Sequence, residues 1–386
     1  MKNLVKKVLL IILAVLIAVQ APFIYRRYKI GRLAEQVEEL NRTRTRIPDD
    51  KFNEYKGIVH VHTNLGGHST GSFEELIAAA NANQLDFVVM TEHWSDTIDT
   101  AALTLNGVYG KTLFIGGNEI DTADSDRFLM IPGSGDAAGL SKSPTTAVLD
   151  KLHAENRLAI VTYPEKFRSW NSQFDGIEVF SLHTNAKKMN PFTAVFDVIW
   201  SFTAYPELTL ATYFKRPDEN LAKFDEVAAN RGISLIAGTD AHSNIGFHLF
   251  GDDAGNKLLN FKIDDYATIF RLARQHVLIE DNLALTRETL LDALRSGRSF
   301  VGFDVLGDTG GFRFGQCDTD ALCVSTPADA RIVLFKDGQI LKEETGTGLK
   351  HGPYDEGVYR VEVYLDQLGA PFDKMPWIIS NPIFVR

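Results

Sequence analysis

Between Phe52 and His242 the chain repeats one pattern: an apolar β-type run, a metal-binding type of residue where the run stops, then a polar or helical stretch. Gly57-Ile58-Val59 leads into His60-Val61-His62, with His68 following. Leu85 to Met90 ends in Thr91-Glu92-His93, and Thr112 to Ile115 leads to Asn118-Glu119. Leu158 to Val161 ends at Tyr163-Pro164, and Ile233 to Ile236 at Asp240-Ala241-His242. Between the first two runs, Ser72 with Glu75 three residues on is a capping-box signature for a helix reaching Asn83. Strands alternating with helices imply an α/β fold with a parallel sheet, open or closed. Closed β/α barrels build their sites at the C-terminal ends of strands. Scattered core histidines have no reason to keep to that rule.

In an extended strand, residues i and i+2 face the same way, so His60 and His62 can share one ion. Taken alone, this pair is also what an ordinary strand face shows. The set of His60, His62, His68, His93, Glu119, Asp240 and His242 is what points to metal. Nitrogen and carboxylate donors without thiolate suit Mn, Zn or Fe. So many donors exceed the needs of one ion and imply two divalent ions, with Glu119 placed to bridge. Such pairs serve hydrolytic displacement, which makes Glu119, Asp240 and His242 the candidate catalytic residues. Cys317 and Cys323 lie far along the chain from these histidines and read as a local disulfide or two thiols; a Cys-rich zinc site is excluded.

These motifs resemble those of the polymerase-and-histidinol-phosphatase (PHP) family of metal-dependent phosphoesterases: His60-Val61-His62 with His68, Thr91-Glu92-His93, Glu119, and Asp240-Ala241-His242. The resemblance covers Phe52 to Arg298 and implies a distorted, TIM-barrel-like (β/α)7 barrel. It implies one ion on His60, His62, Glu119 and Asp240, and a second on His68, His93 and His242 with Glu119 or water. Two departures stand out. Tyr163-Pro164 occupies the place of the His-Pro of three-metal members, and Arg127 lies where a histidine is expected soon after Glu119. Two ions rather than three are therefore expected, with Tyr163 and Arg127 meeting substrate oxygens. His183, after the run Gly176 to Phe180, is a further substrate-side candidate, and Glu92 stands where the family usually has Asp. The expected reaction is phosphoester hydrolysis. Hydrolysis of a carboxylic or carbamic ester is the alternative within enzymes, because dinuclear sites also serve acyl centres. A non-catalytic, membrane-anchored binding module is the alternative outside them, and the intact ligand set argues against it.

The ends of the 386-residue chain read differently. Lys2, Lys6 and Lys7 precede an almost uncharged run from Val8 to Tyr25, closed by Arg26, Arg27 and Lys29. About 18 such residues is near the minimum for a membrane-crossing helix. Residues 1–29 read as an uncleaved anchor rather than a signal peptide, since Pro22 directly follows the cleavage-like Val19-Gln20-Ala21. Ile30, Leu33, Val37 and Leu40 at helical spacing suggest a stalk helix, with a polar linker to residue 50. Residues 51–299 form the expected barrel and 300–386 a β-sandwich, with Lys336-Asp337-Gly338-Gln339 as a hairpin turn. An anchor, a β-rich tail and close cysteines suggest a single-pass bacterial inner-membrane protein with its catalytic part on the periplasmic side. A net charge of −10 without basic blocks argues against a nucleic-acid surface, and no nucleic-acid partner is expected. The expected partner is a small-molecule or lipid- or glycan-linked phosphoester. Phosphate needs cations, and Lys166, Arg168, Lys187, Lys188 and Arg216 lie in loops, none singled out; His153, His248, His276 and His351 read as surface or structural.

Overall fold

The computed structural model describes residues 2–45, 51–187, 189–251 and 257–386. The linker residues 46–50 and Lys188 lie outside the described residues, as do the side chains of Lys187 and His248. The chain begins with one continuous helix, α1 (Lys2–Thr43), which runs through Pro22 and does not divide into anchor and stalk. Its apolar window has a mean hydropathy of 2.6 and is only 6% buried, which makes it long and apolar enough to cross a membrane. From Phe23 onward the helix lies against the body: Phe23, Ile30 and Leu33 are buried, and Leu40 packs beside them. Arg26 Nε donates to Asp197 Oδ1 at 2.8 Å, and Arg44 pairs with Asp308. The helically spaced stripe expected of a stalk is the face by which the helix docks.

The body then runs β1 (Phe52–Val61), α2 (Phe73–Ala82), β2 (Phe87–Met90), β3 (Glu92–His93), α3 (Thr100–Leu103), β4 (Gly107–Tyr109), β5 (Thr112–Ile115), β6 (Asn118–Asp121) and β7 (Arg127–Ile131). Next come α4 (Ala137–Leu140), α5 (Thr145–Ala154), β8 (Leu158–Val161), β9 (Gly176–Ser181), α6 (Leu182–Lys187), α7 (Pro191–Asp197), α8 (Pro206–Ala211), α9 (Asp218–Ala228) and β10 (Ser234–Gly238). A hairpin, β11 (Gly246–Gly251) and β12 (Lys257–Lys262), precedes α10 (Tyr266–Ile269), β13 (Arg274–Glu280), α11 (Arg287–Arg295) and β14 (Ser299–Gly302).

The capping box at α2 forms as expected: Glu75 N donates to Ser72 Oγ and Ser72 N to Glu75 Oε2, each at 3.2 Å. Parallel pairing joins β1 to β2, β2 to β5, β3 to β6, β8 to β9 and β9 to β10. The alternation is not parallel throughout, because β7 runs antiparallel to both β6 and β8. Only residues 122–126 join β6 to β7, and a parallel crossover needs a dozen or more. On the far side β1 pairs antiparallel with β13. His62 N donates to Ala241 O at 3.0 Å and Thr239 N to Val59 O at 3.1 Å, which fastens the loop after β10 to β1.

The C-terminal strands are β15 (Arg313–Asp318), β16 (Ala321–Lys336), β17 (Gln339–His351), β18 (Gly357–Tyr364), β19 (Ile378–Ser380) and β20 (Ile383–Val385). Asp337 (φ 51°) and Gly338 (φ 76°) make the turn between β16 and β17, the doubly left-handed form that suits a twisted hairpin. The sequence reading makes residues 300–386 a sandwich, yet β19 pairs with both β14 and β18, so these strands extend the sheet that holds β1 and β13. A buried ion network adds to this join. Glu362 accepts from Arg216 Nε at 2.7 Å and from Arg360 Nη1 at 2.5 Å, while Arg360 Nη2 reaches Asp225 on α9 at 2.8 Å. Arg216 is therefore committed to structure, not to an anion. His276 is structural too, buried between Glu54 (2.8 Å) and Asp304 (3.3 Å). Cys317 and Cys323 form a disulfide across β15 and β16.

Candidate metal centre

Strand alternation is not what brings His60 and His62 together. The register of β1 against β2 shifts between Val59 and Val61, and His60 takes a left-handed φ of 70°. A β-bulge of this kind re-aims a side chain. Asp240 (φ 48°) and Tyr163 (φ 52°) are left-handed as well. Such non-glycine conformations cost on the order of 1–3 kcal/mol each and concentrate at functional sites.

From these backbone positions the side chains converge. His60 Nε2 lies 3.3 Å and His62 Nε2 3.2 Å from Asp240 Oδ1. Glu119 Oε2 lies 3.7 Å from His60 Nε2 and 3.5 Å from His62 Nε2. All four side chains are buried, and their donor atoms lie within 4.8 Å of one another. A second grouping, His62, His93 and His242, meets the same separation. His93 Nδ1 is 3.4 Å from Glu119 Oε2, and His242 Nδ1 is 3.4 Å from Asp240 Oδ1. The centre is thus assembled from the ends of β1, β3, β6 and β10.

Among the described residues, His60 Nε2, both ring nitrogens of His62 and Asp240 Oδ1 are buried without a hydrogen-bond partner. Leaving a buried polar group unsatisfied costs about 1–3 kcal/mol. A cation among His60 Nε2, His62 Nε2, Glu119 and Asp240 would satisfy all of these atoms except His62 Nδ1, and two imidazoles with two carboxylates form a donor set suited to a divalent transition metal. The residues fit a metal ion.

The electrostatics favour the protonation states that ligation requires. Burial pushes Glu119 up, but the closeness of the His60 and His62 rings outweighs it and holds the carboxyl at about 2. Asp240 is held well down against burial by His60 and His62. Burial, with His62 beside it, lowers His93 to about 3 and His242 to about 4, so both rings are neutral at pH 7. His60 goes the other way: burial opposes its charge, but Glu178, Asp240 and Glu119 together draw its pKa up.

Glu178 on β9 is a partner the strand-end pattern does not reveal. Its Oε1 lies 2.9 Å from His60 Nδ1, and Thr162 donates to its other oxygen. A carboxylate behind a ligating histidine fixes the ring and raises its basicity. Gly238 makes the approach possible, because a Cβ there would sit 1.6 Å from Glu178 Oε1. The signal available in the sequence was a lone carboxylate inside the apolar run Gly176 to Phe180. Glu178→Gln is expected to weaken metal binding about 10–100-fold, measured by titrating metal-stripped protein.

The other sequence candidates sort clearly. Glu92 is not among the converging groups; Thr63 donates to it through N (3.0 Å) and Oγ1 (2.7 Å), which fastens the turn after His62. Tyr163 donates to Asp240 Oδ2 at 2.6 Å, and burial together with Asp240 pushes its pKa up, so the phenol stays protonated. Arg127 donates from Nε to Asp121 at 2.6 Å, approaches Glu119 Oε1 at 3.5 Å, and lies over the Tyr163 ring. His68 is exposed and packs edge-on to His93 at 4.9 Å, outside both groupings. His183 stands 6.0 Å from the His242 ring. Tyr163, Arg127, His68 and His183 line a cleft of about 690 Å³ together with Trp94 and Leu182.

No family model and no curated protein matches the chain. Among solved structures, PsfC from Pseudomonas syringae PB-5123 is similar over 66% of this chain and 94% of its own, with 14% identity and a TM-score of 0.39. A likeness at that level carries no inference about this chain.

Proposed function

We propose that the cleft is the active site of a membrane-anchored, metal-dependent hydrolase of PHP type, acting on a phosphoester, with α1 as its anchor. The observation that carries this reading is the buried set His60, His62, Glu119 and Asp240, whose facing atoms His60 Nε2, His62 Nε2 and Asp240 Oδ1 have no hydrogen-bond partner. These four would hold one divalent ion. His93 and His242, with His68 at the rim and Glu119 between, would hold a second. Ions held there would supply Lewis-acid activation of water and neutralise charge developing on a phosphoryl group.

The chain's own residues set the remaining terms. The Tyr163 hydroxyl, protonated and donating its one hydrogen to Asp240 Oδ2, fixes that carboxylate at the wall of the cleft. Arg127, held by Asp121, brings a permanent positive charge beside Glu119 and Tyr163, where phosphoryl oxygens would lie. Lys166 Nζ lies 5.5 Å from the centre of the Tyr163 ring and adds a second positive charge near that side chain. Trp94 and Leu182 wall the cleft with apolar surface. The same reading takes the strands as a distorted (β/α)7 barrel, supported by the hydrogen bonds that bring the β10 end against β1.

The test is elemental analysis of the purified full chain, with turnover of aryl phosphates and aryl carboxylic esters compared before and after chelation. About two equivalents of Mn, Fe or Zn and chelator-sensitive phosphoester cleavage are expected. Cleavage of carboxylic esters alone would move the reaction to acyl chemistry. Absence of metal and of any turnover would favour a binding module.

A further inference from the structure

We infer that the substrate is a membrane lipid phosphoester, its phosphoryl group in the metal cleft and its hydrocarbon chain in a second cavity that joins the cleft beside the anchor helix. The inference rests on the hydrolase reading above and specifies its substrate class.

The second cavity holds about 420 Å³ and shares Leu182, Ala186 and Ile269 with the metal cleft. Away from the shared wall it is lined by Ala194, Val198 and Leu210. A pocket for a soluble phosphate monoester has no use for an apolar annex of this size, whereas small-molecule sites match apolar surface to apolar ligand. Its outer wall is the helical stretch of α7 and the following turn, Pro191–Phe202. That wall is fastened to the membrane end of α1: Phe23 stacks on Phe196 at 4.5 Å, and Trp200 Nε1 donates to Gln20 Oε1 at 2.8 Å. Along it Phe192, Val195 and Ile199 are 62%, 57% and 61% exposed, and Val195 and Ile199 also line the cavity, at its open side. Spaced at i, i+3 and i+7, they form one apolar stripe. A stripe of this kind beside the end of a membrane-length helix is suited to lie in the lipid headgroup region. The cavity therefore has a polar, metal-binding end in the body and an apolar wall at the bilayer. An amphiphile is the ligand whose two ends match it.

The reaction needs no further partner. Water supplies hydroxyl to phosphorus, one P–O bond breaks, and the departing oxygen takes the proton.

The test uses the full chain in lipid nanodiscs with two probes. The first is a series of p-nitrophenyl alkyl phosphates from methyl to dodecyl. The second is a non-cleavable dodecyl phosphonate with a diazirine at the chain end. Turnover per substrate concentration is expected to rise roughly fourfold per methylene until the cavity is filled, the equivalent of about 0.8 kcal/mol for a buried CH₂. Ala194→Trp and, independently, Val198→Trp should flatten that rise. Photolabel should fall on peptides containing residues 194–214 and be lost in both variants. A chain-length dependence unchanged in the filled variants, with label confined to α1, would reflect partition into the bilayer and overturn the inference while leaving the hydrolase intact. Labelling of the cavity without turnover of any ester would sink the hydrolase reading and support the lipid site. Flat turnover and no cavity label would remove the lipid alone.

Discussion

Asp240→Asn is expected to strip the centre of a tightly bound cation and lower turnover by about 10³-fold or more, since a catalytic metal supplies several kcal/mol and each 1.36 kcal/mol is tenfold. The substitution keeps the side chain's shape and removes one charge. Asp240 Oδ1 stands within 3.4 Å of His60, His62 and His242, and so touches members of both groupings, which share His62. Metal content and kcat should fall together while the unfolding transition of chelated protein stays in place. Full activity in the variant would rule out a metal mechanism at this cleft. A fall in activity with metal content unchanged would shift Asp240 from ligand to substrate contact.

Glu362→Ala should be the most damaging change away from the cleft, destabilising the fold by about 3–5 kcal/mol. Glu362 is fully buried and answers two guanidinium groups, Arg216 and Arg360. Removing it leaves the buried Arg360 with Asp225 alone and the partly buried Arg216 with Asp218 alone, and breaking one partner of such a pair is the costly case. The pH dependence has a definite sign. Burial raises the Glu362 pKa, but Arg216 and Arg360 together hold it at about 2, below the ordinary 4.5. A carboxylate depressed on folding contributes stability that is complete above pH 4.5 and is lost as pH falls toward 2. Denaturant midpoints across that window should slope steeply in the parent protein and less in the variant. An equal slope would mean that the network is not what acid disrupts.

Which parts were legible in the sequence follows from what each depends on. His60, His62, His93, Glu119, Asp240 and His242 could be read because each stands where an apolar run stops, and in the structure they converge. The route for the first pair was not legible: two-residue alternation predicts a common face, whereas a bulge at His60 does the aiming. His68 matches the motif by spacing yet stays at the rim, because the turn after β1 carries it outward against His93. Glu178 was hidden in an apolar strand, and its role depends on Gly238, far away in sequence. The antiparallel β7 depends on a short connection, and the polar pairs that fasten α1, Arg26 with Asp197 and Arg44 with Asp308, join residues far apart in sequence. Neither leaves a periodic trace. The apolar cavity is likewise built from side chains of α6, α7, α8 and α10, which no local pattern brings together.

The pairing of β1 with β13 also orders events in time. Phe52 sits opposite Glu280, so the strand that carries His60 and His62 finds this neighbour only after everything between has been synthesised. At about 5–20 residues per second this takes on the order of 10–45 s. Throughout that interval the helix that precedes β1 has already emerged, while Ile58, Val59 and Val61 wait without their full sheet. The set of converging side chains is likewise spread from His60 to His242, so it is complete only after residue 242 has been made, while the strands that extend the sheet at its C-terminal side are still to come.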